Sequence, residues 1–223
     1  MLPSEPSPSG TFSAGYCGRS DESVRRAAND YRLLSRWSFA ATAEEVADAM
    51  SAVESPVLWW PAAFLRAEVL EEGAPHGAGA VVRFLSKGWM PHTFQFVLRI
   101  REVDVPRRFV AEARGDFTGW MRCDITNDGP GTIVDCEWHV SVAQPFVRSF
   151  SPLVRRAFVR NHRWVMRRGE EGLRLEIERR RSGGLAASIA YPRPTFPHNL
   201  GWWNHRIAWK AWTESWERAA MRR

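Results

Sequence analysis

Cysteine is scarce. Three occur in 223 residues, Cys17, Cys123 and Cys136, with no CxxC pair and no Cys/His cluster. An odd, dispersed set of this kind supplies neither a disulfide scaffold nor a structural zinc site. Long apolar runs are missing too. No stretch approaches the roughly 18 consecutive apolar residues of a membrane-spanning helix, and the opening MLPSEPSPSG has neither a basic n-region nor an apolar h-region. The expected location is cytoplasmic. The six histidines, His76, His92, His139, His162, His198 and His205, contain no HExxH or His-x-His pair, and neither a P-loop nor a GxGxxG occurs. No metal and no cofactor is therefore expected. Lysine is nearly absent as well: Lys87 and Lys210 are the only two, so almost all positive charge is arginine.

What is present is ordinary globular composition, 44% hydrophobic and 25% charged, enough for one large domain or a domain with an appendage. The net charge of +6 is unevenly spread. Residues 1–147 hold 14 basic and 19 acidic side chains, residues 148–223 hold 17 and 6. Residues 1–30 are rich in Ser, Pro, Gly and small residues without hydrophobic period, and are expected to form a disordered lead.

The first structured segment is Tyr31–Ala40, where Tyr31, Leu33, Trp37 and Phe39 share one parity, as in a half-buried strand. Two short helices should follow. Thr42 and Glu45 make a capping box ahead of Val46, Ala49, Met50 and Val53, and Ser55-Pro56 reads as a second N-cap leading into Leu58-Trp59-Trp60-Pro61. From about Ala63 to Ala143 the period is two, with turn signals at Glu72-Gly73, His76-Gly77, Val105-Pro106 and Asn127–Gly131: an antiparallel run of about six strands. In the last hairpin, pairing across the turn sets Cys123 opposite Cys136. One apolar sheet face needs a cover. Phe146–Arg181 provides it, with Phe150, Leu153, Val154, Ala157, Phe158, Asn161, Trp164, Val165 and Leu173 at helical spacing.

Several strings in this order resemble the START-like (SRPBCC) superfamily and its polyketide cyclase/dehydrase-like branch. They are the Trp37–Phe39 strand, Leu58-Trp59-Trp60-Pro61, Lys87-Gly88-Trp89-Met90-Pro91, Gly115-Asp116-Phe117, Gly131-Thr132, Glu137-Trp138, Asn161-His162 and Met166-x-x-Gly169-Glu170-x-Gly172-Leu173. The resemblance covers residues 31–181. It implies an α+β helix-grip fold, a curved antiparallel sheet of about seven strands around a long C-terminal helix, binding a hydrophobic small molecule between the two. The branch carries no catalytic signature of its own.

The expected cavity lining is Trp37, Phe39, Trp60, Phe94, Phe96, Leu98, Met121, Cys123, Trp138, Phe158, Trp164 and Val165. At any single position plain core is the more common case, and the cavity reading concerns the set; aromatic lining with few polar groups suits a flat apolar ligand. The alternative is a polyketide aromatase/cyclase or dehydratase, for which His162 is the best proton carrier among His162, Asp116, Arg122, His92 and Glu137. Glu137 and His139 have the parity opposite Trp138 and should face solvent, and Asp116 suits a turn. The arginines of 148–181 come with no recognised nucleic-acid module, so nucleic acid is not an expected partner. Residues 182–199 read as a linker. Residues 200–223 hold Trp202, Trp203, Trp209, Trp212 and Trp216, a stripe at helical spacing that can dock on its own domain, pair with another copy, or lie as a peripheral membrane contact.

Overall fold

The computed structural model describes residues 30–52, 55–90, 93–142, 152–183 and 190–195. The expected disordered lead, Cys17, His92 and the Trp-rich segment lie outside the described residues. So do Phe146 and Phe150, and the side chains of Leu153 and Val154.

Strand β1 spans Asp30–Phe39 and buries alternate residues, as the parity of Tyr31, Leu33, Trp37 and Phe39 demands. Helix α1, Ala43–Ser51, starts at the capping box: Glu45 N donates to Thr42 Oγ1 at 3.3 Å and Thr42 N to Glu45 Oε2 at 2.9 Å. Helix α2 is a single turn, Pro56–Trp59. Ser55 does not cap it through its side chain, contrary to the sequence reading. Its backbone is already αR, and its hydroxyl instead accepts the indole N–H of buried Trp59 at 3.0 Å.

Six strands follow: β2 Phe64–Glu71, β3 Val81–Lys87, β4 Thr93–Asp104, β5 Arg108–Gly115, β6 Phe117–Asp128 and β7 Gly131–Val142. They form one antiparallel sheet in the order β1-β7-β6-β5-β4-β3-β2, so β1 closes onto the last strand. Register shifts at Phe64/Arg66, Val69/Glu71 and Ile100/Glu102 increase the local twist. Gly119, at φ 151°, allows His139 O to come where a Cβ would lie only 2.0 Å away. The sheet is thereby curved. Helix α3, Pro152–Arg181, runs 30 residues across its concave face.

The core lies between them. Phe158, Met166, Leu173 and Ile177 of α3 are buried against Tyr31, Trp37, Phe96, Met121 and Val140 of the sheet. Tyr31 and Phe158 rings meet at 4.4 Å. The outer sheet face carries cross-strand ion pairs such as Arg36–Asp135 and Arg99–Glu71, each a small contribution in water. The last turns of α3 are tied to α1 by Arg181–Glu45 and Arg180–Asp48.

Candidate ligand-binding site

Two adjoining apolar chambers separate sheet and helix. The first is lined by Phe94 and Phe96 of β4, Phe117, Trp138 and Val140 of the sheet's middle, and Phe158, Asn161, His162 and Val165 of α3, with Leu33, Ala63, Ser86, Lys87 and Gly88. The second lies deeper under α1 and α2 and is lined by Trp37, Trp59, Phe84, Leu98, Ile100, Phe109, Met121, Cys123 and Cys136. Trp60, Phe64, Trp138 and Met166 belong to both walls and form the partition. Together with the open solvent at their mouths, they span about 620 and 710 Å³.

The helix is held close to these walls by missing side chains. A Cβ at Gly169 would meet the Trp60 ring at 2.5 Å, and one at Gly172 would meet Trp59 O at 2.0 Å. The Trp60 indole N–H then reaches the Val165 carbonyl, 3.1 Å away. Gly88 does the same for Asn161, whose Oδ1 accepts from Met90 N at 3.4 Å.

Of the expected lining, Trp60, Phe94, Phe96, Trp138, Phe158 and Val165 come together in the first chamber, and Trp37, Leu98, Met121 and Cys123 in the second. Phe39 and Trp164 lie outside both. Phe39 is buried core edge-on to Trp37, and Trp164 is half-buried under the Arg168 guanidinium at 5.7 Å. Cys123 and Cys136 stand directly opposite in the β6–β7 register with their Sγ atoms 2.9 Å apart, both unbridged. Each is buried, and the Cys136 thiol is pushed well above the usual range by its hydrogen bond to Cys123 and by burial.

The polar residues lining the first chamber are Ser86, Lys87, Asn161 and His162. Burial pushes the His162 imidazole down to about 4, and its Nε2 lies 3.5 Å from Ser35 Oγ. It is a neutral ring at physiological pH. Sequence parity does not single out Ser86, Phe64 or Phe117; the sign for Ser86 is its place on β3 opposite Phe94, visible only once the strands are paired. Of the other proton-transfer candidates, Asp116 caps the β5–β6 turn by accepting Gln95 N at 2.8 Å. Glu137 is paired with Arg32 and Arg122 on the outer face, where His139 stacks on Trp120 at 5.5 Å. Among the described residues no three His, Cys, Asp or Glu side chains gather as metal ligands, and no helix is long and apolar enough to cross a membrane.

A curved seven-stranded sheet gripping one long helix over an apolar cavity is the START-like, helix-grip fold, and the chain has that fold. Solved structures agree. A protein from Thermus thermophilus is 18% identical, with 71% of this chain covering 100% of that one at TM-score 0.55. A START superfamily protein from Mycobacterium smegmatis is 18% identical, 66% of this chain covering 97% of it at 0.53. The Zhui aromatase/cyclase from Streptomyces sp. R1128 is 15% identical, 72% covering 99% at 0.55. No protein-family model and no curated protein matches the sequence.

Proposed function

We propose that the chain binds an apolar small molecule of lipid or polyketide-like character in the two chambers. The observation that carries this reading is the pair of adjoining apolar chambers between sheet and helix, which share Trp60, Phe64, Trp138 and Met166 as walls. Burying roughly 300 Å² of ligand contributes about 7 kcal/mol gross at about 25 cal/mol per Å², before association costs of several kcal/mol. Micromolar binding corresponds to about 8 kcal/mol net, so it requires a larger buried area or polar contacts in addition. Trp37, which lines the second chamber, has its indole N–H buried without an acceptor among the described residues. Native mass spectrometry of the protein purified from its own cells tests the reading. An apolar molecule released unchanged supports it; a bare protein that also takes up no apolar probe contradicts it.

A second reading, proton transfer on a bound poly-ketone, is favoured by one observation. A neutral imidazole, His162, lines the cavity wall next to a hydroxyl, in the form a general base requires. The aromatase/cyclase among the structural neighbours is consistent with it. Turnover of a poly-ketone that is lost in His162→Ala with melting temperature retained would establish it; ligand binding without turnover leaves the protein a binder.

A further inference from the structure

On β3 the residues Val82, Phe84 and Ser86 pair with Leu98, Phe96 and Phe94 and face the helix, which leaves Val81, Arg83 and Leu85 on the outer face, paired with Arg99, Val97 and Gln95. That outer face should be wet, since α1, α2 and α3 all pack on the other side. It is dry at its centre. Arg83 is 1% exposed and its cross-strand neighbour Val97 3%, and the Oε1 of Gln95 is sealed from solvent. Around them Arg66, Glu68, Arg99 and Arg114 keep much of their surface in water. A dry centre with a charged wet rim is the anatomy of a contact surface. Glu68, 3.4 Å from the Arg83 guanidinium, balances its charge and does not roof it.

Three parts of the chain lie outside the described residues and are long enough to matter. Residues 1–29 enter the fold at β1, the far edge of the sheet, and carry few apolar side chains. Residues 143–151 join β7 to α3, several strands away. Residues 196–223 start beside the patch. The preceding stretch is tied down at both ends: Tyr191 OH donates to Glu176 Oε2 at 2.7 Å, and Thr195, through its carbonyl and Oγ1, accepts from Lys87 Nζ at 2.9 Å each. Thr195 Oγ1 also reaches Gly88 O at 3.4 Å. Lys87 is four residues along β3 from Arg83, about 13 Å at about 3.3 Å per residue. The 28 residues that follow Thr195 can span that several times over.

We propose that residues 196–223 cover the outer face of β3 and β4, with the stripe of Trp202, Trp209 and Trp216 against Arg83, Leu85 and Val97. Indole faces suit a buried guanidinium, which binds an aromatic ring well once water is removed. The short tether from Thr195 raises the effective concentration of the segment at this face above that of any membrane or second copy.

The test is thiol labelling of the full-length chain carrying Cys17→Ser and Val97→Cys, with the buried Cys123 as internal control for folding. The introduced thiol should label slowly, and about tenfold or more faster when Trp202→Ser, Trp209→Ser and Trp216→Ser are added, while Cys123 stays protected. If the triple variant exposes Cys123 and so fails to fold, Trp209→Ser alone is used, with the same expectation of faster labelling. Fast labelling in the folded parent, or a slow rate that the tryptophan changes leave untouched, overturns the proposal. So does protection that disappears on dilution, which would mark a second copy as the cover. Labelling that accelerates when anionic phosphatidylglycerol vesicles are added, with the protein co-sedimenting, would assign the stripe to a membrane surface and overturn it as well.

Discussion

His162 is uncharged in the folded protein because its partial burial disfavours the charged form, and this makes stability depend on pH in a defined window. Its folded value of about 4 lies below the ordinary 6.5, so between pH 6.5 and 4 the unfolded chain binds a proton that the folded chain refuses. Stability is full above about pH 6.5 and falls on acidification through that window, by up to about 3 kcal/mol. Urea melts at pH 7 and pH 4.5 should show that loss in the parent and a smaller one in His162→Gln; equal losses would mean the ring is better solvated than its surroundings indicate. The cysteines give a second expectation. With a raised thiol at Cys136 and both side chains buried, Cys123 and Cys136 should be silent to a thiol reagent at pH 8 and react together on unfolding, whereas prompt native reaction would place them at the surface. Their pairing was legible in the sequence because a tight turn fixes the count across it. Ser86 was not, because its neighbour across the sheet is set by a loop from Gly88 to His92 whose length gives no register.

Among the elements, α3 shows most clearly how tertiary contact overrides local preference. Gly169 and Gly172 are poor helix formers in mid-helix, and Ala at either should favour the isolated helix by about 1 kcal/mol. Yet the Cβ of Gly172→Ala would lie 2.0 Å from a backbone carbonyl, Trp59 O, which has no rotamer to escape into. The clash wins. Gly172→Ala should destabilise by about 1–3 kcal/mol and loosen the Trp60 indole bond to Val165, read as a lower melting temperature and red-shifted tryptophan emission; a stabilised variant would mean that helix and α2 are further apart than described. The alternation of β1, β4, β6 and β7 and the capping box of α1 were plain in the sequence, since each is a short-range pattern. The slip between Ile100 and Glu102 was not. It shifts the outer half of β4 by a residue, and nothing in Ile-Arg-Glu-Val distinguishes a bulge from continued alternation.

At the largest scale, sheet and helix of the described residues wrap an apolar interior that is only partly filled. The grip of sheet on helix was readable from element order, one apolar sheet face and one apolar helix face, whereas the division into two chambers was not, because it depends on where Trp60, Phe64, Trp138 and Met166 meet in space. Phe158 contacts Tyr31, Phe94 and Phe117 at the first chamber. Phe158→Ala should therefore cost about 3–5 kcal/mol of stability and also alter probe affinity, while a filled core would show only the first effect. The most direct measurement is fluorescence titration of the full chain with the neutral apolar probe N-phenyl-naphthylamine, beside Val165→Trp and Leu98→Trp, which fill one chamber each. Saturable micromolar binding that raises the melting temperature of the parent and weakens about tenfold or more in at least one filled, cooperatively melting variant is the expected result. No saturable binding to the parent, or binding undiminished in both variants, would contradict a ligand site between sheet and helix.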